Sequence, residues 1–245
     1  MGLTKQPPFS DAPDELGDGC VFKISGLSAM ELADLVGAID LRQKARFSII
    51  ENYPDLTLRL VFDEASDREA LSLRDQVRAV VGAHSYVEGE RTLEEVLGDL
   101  LLAKHKTLAL AESCTGGYIS HRITRVAGSS AYYFGGVVTY SNQAKVLFLG
   151  VKPETLERHG AVSRETALEM SEGIRGKTSA SIGLSVTGIA GPAGGSIEKP
   201  VGTVWISIEQ DNYHEARRFQ FDGGRERVIA ATSQAALDWL RLSLV

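Results

Sequence analysis

The stretch Leu108-Ala-Leu-Ala-Glu-Ser-Cys-Thr-Gly-Gly117 constrains this chain more than any other. Small apolar residues run up to Ala111, and polarity switches at Glu112. Ser113, Cys114 and Thr115 each carry a potential nucleophile or hydrogen-bonding group, and two glycines precede a helical apolar pattern. That order describes a buried strand feeding a tight turn into a helix. In α/β proteins such turns host chemistry. The first helical N–H groups lack an intrahelical partner, and ligands gather at the carboxyl ends of strands.

With 245 residues, 43% of them hydrophobic, the chain has room for one large domain or two small ones and a substantial core. A net charge of −6 argues against general affinity for nucleic acid or an anionic membrane. The two cysteines, Cys20 and Cys114, form neither a disulfide framework nor a zinc motif. The scattered histidines show no ligand spacing, so no metal is expected. The N-terminus lacks the apolar core of a signal peptide, and no stretch approaches the ~20 residues of a membrane span. A soluble cytoplasmic protein is expected.

Residues 1–19, rich in Pro, Gly, Asp and Glu, read as a flexible arm. Residues 20–90 read as a small α+β unit. A strand at Cys20–Ser25 precedes the capping box Ser28-Ala-Met-Glu31 and a helix with Leu32, Leu35, Val36 and Ile39 inward. Tyr53-Pro54-Asp55 is a turn into the strand Leu56–Phe62. A second capping box, Ser66–Glu69, opens a helix with Leu73, Val77, Val80 and Val81 inward, and His84–Glu88 is a short strand. The unit holds no catalytic cluster. It resembles KH-type units in pattern but lacks their Gly-x-x-Gly loop, so a packing or dimerising role is the better reading.

Residues 91–245 alternate strands and helices. Thr92–Glu95 is a third capping box. Strands are expected at Thr107–Ala111, Phe134–Tyr140 and Ala180–Thr187, with a short helix at Ala144–Leu149 and a helix capped by Ser163. Pro200–Ile208 and Ala216–Phe221 should pair as a hairpin about Asp211-Asn212, before a last helix from Arg225 to about Leu242. His121, Arg122 and Arg125 are expected to face solvent. The fold class is α/β: a mixed-sheet α/β/α sandwich with a small N-terminal α+β, KH-like domain.

Three strand ends deliver polar groups: Ser113 with Thr115; Tyr140 with Asn142 and Lys145; and Thr187 with the loop Gly188–Gly195. A serine nucleophile needs a base, but no histidine lies at a partner spacing and Gly-x-Ser-x-Gly is absent. A partly buried Lys145 is the alternative base, with Tyr140 relaying the proton or orienting the lysine. Amides after Ser113 can form an oxyanion hole over the helix N-terminus. Residue chemistry alone favours plainer readings: Ser113 as a helix N-cap, Lys145 as a solvated charge, Tyr140 at a core edge and Cys114 as a small buried residue. Glu112 reads as an acid, an orienting group or turn solvation. The glycine loop can wrap a phosphate but matches neither the P-loop nor the dinucleotide fingerprint.

Six blocks in order carry a family resemblance: Ala111–Gly117, Gly128–Ala131, Gly136–Lys145, Leu156–Ser163, Val186–Pro192 and Glu198–Val204. Over about residues 91–242 they resemble the C-terminal domain family of the competence/damage-inducible protein CinA, many members of which are nicotinamide-nucleotide amidohydrolases. Residues 20–90 resemble the middle, KH-like segment of full-length CinA. The large N-terminal molybdopterin-binding-like domain of those longer proteins, with its metal-dependent pyrophosphatase activity, is expected to be missing.

The resemblance implies hydrolysis of the carboxamide of nicotinamide mononucleotide, with Ser113 as nucleophile, Lys145 as general base and Tyr140 beside it. Thr115 and Thr187 match pocket hydroxyls. Gly116, Gly117, Asn142, Gly188, Gly191 and Arg225 complete the expected substrate site. No cofactor is implied, and a homo-oligomer is expected. Gly224 and Ile229 depart from the Asp and Arg common in the family, and Ala193 from a frequent Asp. The changes at Gly224 and Ile229 are the main support for the alternative of a catalytically altered or inactive nucleotide-binding or interaction protein.

Overall fold

The computed structural model describes residues 19–41, 44–63 and 65–245. They divide into two compact units, one ending at Val96 and the other spanning Leu97–Leu244. The expected arm lies outside the described residues except for Gly19, which begins the first strand.

The first unit runs β1 (Gly19–Ile24), α1 (Ala29–Gly37), β2 (Ala45–Asn52), β3 (Asp55–Phe62), α2 (Asp67–Val81) and β4 (Ser85–Glu88). Its sheet has the order β2-β3-β1-β4 with every pair antiparallel. That is the split-βαβ, ferredoxin-like arrangement. Alternation puts Phe22 and Ile24 of β1 beside Leu58 and Leu60 of β3 on one face, where Leu32, Val36, Leu73, Val77 and Val81 of the helices cover them. The Ser28 amide and hydroxyl both donate to Glu31 at 2.8 Å, so the first capping box forms as expected. Val80, expected inward, is exposed beside the buried Val77 and Val81. Strand β2 escaped the sequence reading. Phe47 and Ile49 alternate correctly, but Ile50 blurs the period and the strand lies at the sheet edge.

The chain continues through α3 (Leu93–Ala103), β5 (Leu108–Glu112), α4 (Tyr118–Thr124), β6 (Tyr133–Val138) and the short α5 (Asn142–Ala144). A π turn follows at Lys145–Leu149, then α6 (Pro153–His159), α7 (Arg164–Thr178), β7 (Ile182–Gly188), β8 (Thr203–Gln210), β9 (Tyr213–Gln220) and α8 (Arg225–Ser243). The sheet order is β6-β5-β7-β8-β9; β5 is parallel to β6 and β7, and the remaining pairs are antiparallel. The chain leaves β5 for β6 on one side and then crosses back to β7 on the other. Right-handed crossovers running in opposite directions put α4 and α7 on opposite faces. The carboxyl end of β5 is therefore the switch point where an α/β sheet opens a crevice.

Period two sorts β5 between these helices. Ala109 and Ala111 face the α7 side with Met170 and Ile174. Leu110 and Glu112 face the α4 side, which is why the last strand residue reaches the start of α4. The mixed-sheet α/β architecture read from the sequence is the one observed, with the hairpin turning at Asp211-Asn212. Arg122 is a correction. It is only 7% exposed, and its Nη2 donates to Gln234 Oε1 at 2.7 Å across to α8.

Candidate active site

The backbone entering the turn after β5 is held from both sides. Thr139 N donates to Glu112 O at 2.8 Å, and Ser113 N donates to Val186 O at 3.1 Å. The Glu112 side chain, in a residue only 1% exposed, accepts from the amides of Gly117 at 3.0 Å, Ile119 at 3.1 Å and Ser120 at 2.8 Å. It also accepts from the Ser120 hydroxyl at 2.6 Å. Gly117, the N-cap of α4, has a left-handed φ of 97° and no side chain with which to cap. Glu112 fills that role, so Ser113 is not the cap. Glu112 takes the amides at the start of α4, so of the amides after Ser113 expected to hold an oxyanion, only those within the turn stay open. The amides remaining in the turn are those of Cys114 and Thr115, which have no backbone acceptor among the described residues.

Ser113 instead meets Lys145. The Lys145 Nζ donates to Ser113 Oγ at 3.0 Å and to Thr139 O at 2.8 Å. The lysine is 1% exposed, and its hydrogen-bond partners are a hydroxyl and a carbonyl rather than a carboxylate. Burial holds its pKa below the ordinary lysine value, outweighing the opposite influence of Cys114. Ser141 Oγ caps the short α5 by accepting from Ala144 N at 3.1 Å, and the π turn then begins at Lys145 itself. The sequence suggested an ordinary helix over Ala144–Leu149. Single π turns of this kind concentrate at functional sites. Burial pushes the Cys114 thiol up to about 12, so near neutral pH it is a protonated, weak nucleophile.

A cavity of about 240 Å³ lies over these strand ends. Of the residues singled out in the sequence, Ser113, Lys145, Tyr140, Thr187, Gly188, Gly191 and Arg225 line it. Arg225 crosses its mouth, donating to Tyr140 Oη at 2.9 Å and to Gly191 O at 3.0 Å. Tyr140 is 62% exposed, and its hydroxyl bonds to Arg225 rather than to the lysine. The Thr187 hydroxyl donates to Ala161 O at 2.7 Å. That bond fixes Ala161 and Val162 as cavity wall, which sequence reasoning missed although both lie in a matched block just before the Ser163 cap.

Thr115, Gly116, Gly117 and Asn142 are outside the lining. The Glu112 bonds draw the far end of the turn toward α4. Thr115 is buried with its hydroxyl unpartnered, the two glycines adopt left-handed φ, and Asn142 begins α5 on the surface. No group of three or more His, Cys, Asp or Glu able to hold a metal occurs among the described residues. No helix among them is long and apolar enough to cross a membrane.

The model of the CinA C-terminal domain matches residues 90–244. A CinA-like protein of Geotalea daltonii is 44% identical over 230 residues, 92% of this chain and 56% of the relative. A putative competence-damage inducible protein of Moorella thermoacetica is 42% identical over 91% of this chain and 55% of its own length. The chain thus spans about half the length of the curated relatives it matches. A crystal structure of a CinA superfamily protein from Klebsiella pneumoniae aligns with a TM-score of 0.60 at 37% identity, covering 63% of this chain and 98% of that one. The competence/damage inducible protein CihA of Agrobacterium tumefaciens aligns at 0.57 and 41% identity, over 63% and 96% of the two chains. The chain belongs to the CinA C-terminal domain family.

Proposed function

We propose that the protein is a serine amidohydrolase that converts nicotinamide mononucleotide and water to nicotinate mononucleotide and ammonia, in pyridine-nucleotide salvage. The observation that carries this reading is the buried Lys145 amine 3.0 Å from Ser113 Oγ at the switch point of the sheet. A lysine whose burial disfavours its charged form can act as a base. The neutral amine accepts the Ser113 proton as Oγ attacks the carboxamide carbon. The Cys114 and Thr115 amides receive the developing oxyanion. The lysine returns its proton to the departing nitrogen, ammonia leaves, and an acyl-enzyme remains. Water, deprotonated by the same lysine, attacks the acyl carbon and releases the carboxylate, restoring Ser113.

Arg225 and the loop around Gly191 carry the cation and backbone groups suited to a phosphate at the mouth. Of the positions where the chain departs from the family pattern, Gly224 and Ile229 do not line the cavity, while Ala193 does, beside Arg225. The buried Ser113–Lys145 pair, which a binding-only site would not need, favours the catalytic reading. Ammonia release from nicotinamide mononucleotide by the wild type and by Ser113→Ala tests the proposal. Turnover in the wild type and loss of at least ~10³-fold in the variant is expected. Equal rates would remove Ser113 from the chemistry, and calorimetric binding without turnover would favour the non-catalytic reading.

A further inference from the structure

We infer that Glu112 is a positioning residue for Ser113, closing the nucleophile's turn into a ring. This inference rests on Ser113 being the nucleophile. Residues 113–116 connect the end of β5 to the Gly117 N-cap of α4. Ladder bonds to Thr139 and Val186 fix the entry to that turn. Its exit is fixed by the side chain of the residue immediately before the nucleophile. Glu112 Oε2 takes the Gly117 and Ile119 amides, and Oε1 takes the Ser120 amide and hydroxyl. A carboxylate offers about four acceptor sites, and four donors occupy them here. Glu112 is therefore committed to the scaffold and is no acid or base toward a substrate. The Tyr133 hydroxyl donates to Ser120 Oγ at 2.7 Å and extends the clasp to β6. Both ends of a four-residue turn are thereby tied, which restricts where Ser113 Oγ sits relative to Lys145.

The clasp also explains a division of labour among the amides. Those of α4 are consumed by an internal carboxylate, which leaves Cys114 and Thr115 as the donors beside the nucleophile. A glycine N-cap, which cannot cap itself, makes the device necessary.

The experiment compares wild type with Glu112→Gln. The amide keeps the shape but replaces one acceptor oxygen with a donor facing N–H groups. Ser113 is labelled with a fluorophosphonate; its Oγ–P bond forms, the P–F bond breaks, fluoride leaves and Lys145 takes the proton. Positioning predicts a labelling rate about 10- to 100-fold lower in Glu112→Gln, with labelling still complete and kcat lowered while KM is held. A lower amplitude at unchanged rate would mean only that less protein is folded, and would overturn the inference. So would equal rates in a wild type that labels. A wild type that neither labels nor releases ammonia removes the nucleophile reading, and this inference with it. Should Glu112→Gln fail to fold, Ser120→Ala carries the test. Loss of the shortest donor predicts a rate about 2- to 10-fold lower at full amplitude, and an unchanged rate overturns the inference.

Discussion

Lys145 gives the site a pH dependence with a definite sign. The unfolded chain keeps a lysine proton to about pH 10.4. The folded protein releases this one at lower pH, because burial disfavours the ammonium. Below the folded pKa the full cost of burying the charge opposes folding. Between the two values the unfolded state binds more protons, so this residue's contribution to stability improves as pH rises. On the proposed mechanism catalysis follows the same titration: kcat/KM should climb along a single limb whose midpoint lies below the ordinary lysine value. Lys145→Arg, which stays charged, should lose about 10²- to 10⁴-fold at every pH. A pH–rate profile of ammonia release checks both, and a wild-type midpoint at or above 10.4 would contradict the assignment. Thr139 makes a sharper contrast. Its carbonyl holds the lysine, yet its own hydroxyl is buried without a partner. Thr139→Val should leave kcat within about twofold and hold or raise stability by up to about 1 kcal/mol, read from ammonia release and thermal denaturation. A large loss of activity would show that the hydroxyl reaches the substrate.

At the scale of elements, α7 connects the sheet to the turn that carries the lysine. A Cβ at Gly183 would lie 2.2 Å from Ser171 O of α7, and one at Gly173 would lie 2.0 Å from Leu149 O at the end of the π turn. Both alanine variants should cost about 1–3 kcal/mol in denaturant unfolding through overpacking. They should differ in function. Gly173→Ala pushes on the turn that begins at Lys145 and should also lower kcat below the melting transition, whereas Gly183→Ala should not. Equal activity in the two would show that the π turn adjusts without moving Nζ. The sequence disclosed β5 and the hairpin because their apolar periods and turn residues are local. It did not disclose the π turn, where the residue that reads as a solvated charge is buried and Leu147 and Phe148 are exposed. The burial of Arg122 depends on Gln234, which is 112 positions away. An orienting role was among the readings for Glu112, but the α4 amides it takes were not legible, since the clasp needs the fold to bring α4 back onto its own strand. Residue chemistry alone ranked Ser113 as a cap. Only the matching blocks around Tyr140 and Thr187 pointed to a nucleophile, and they said nothing of what caps the helix in its place.

For the whole molecule, the division at Val96 makes the second unit a candidate for independence. It contains the complete five-stranded sheet and every residue lining the cavity. The CinA C-terminal domain model matches residues 90–244, nearly the same portion. A domain of roughly 150 residues buries enough surface to be stable alone. The first unit has its own core of Phe22, Ile24, Leu58 and Leu60 under two helices, and none of its residues lines the cavity. A fragment of residues 91–245 should therefore melt cooperatively and release ammonia with kcat/KM within about threefold of the full chain, a difference of less than about 1 kcal/mol in transition-state stabilisation. Circular dichroism and the ammonia assay on the fragment check this. A fragment that is folded yet at least ~10-fold slower would show that the split-βαβ unit bears on the chemistry without lining the cavity, and the first unit would then have to be counted as part of the enzyme.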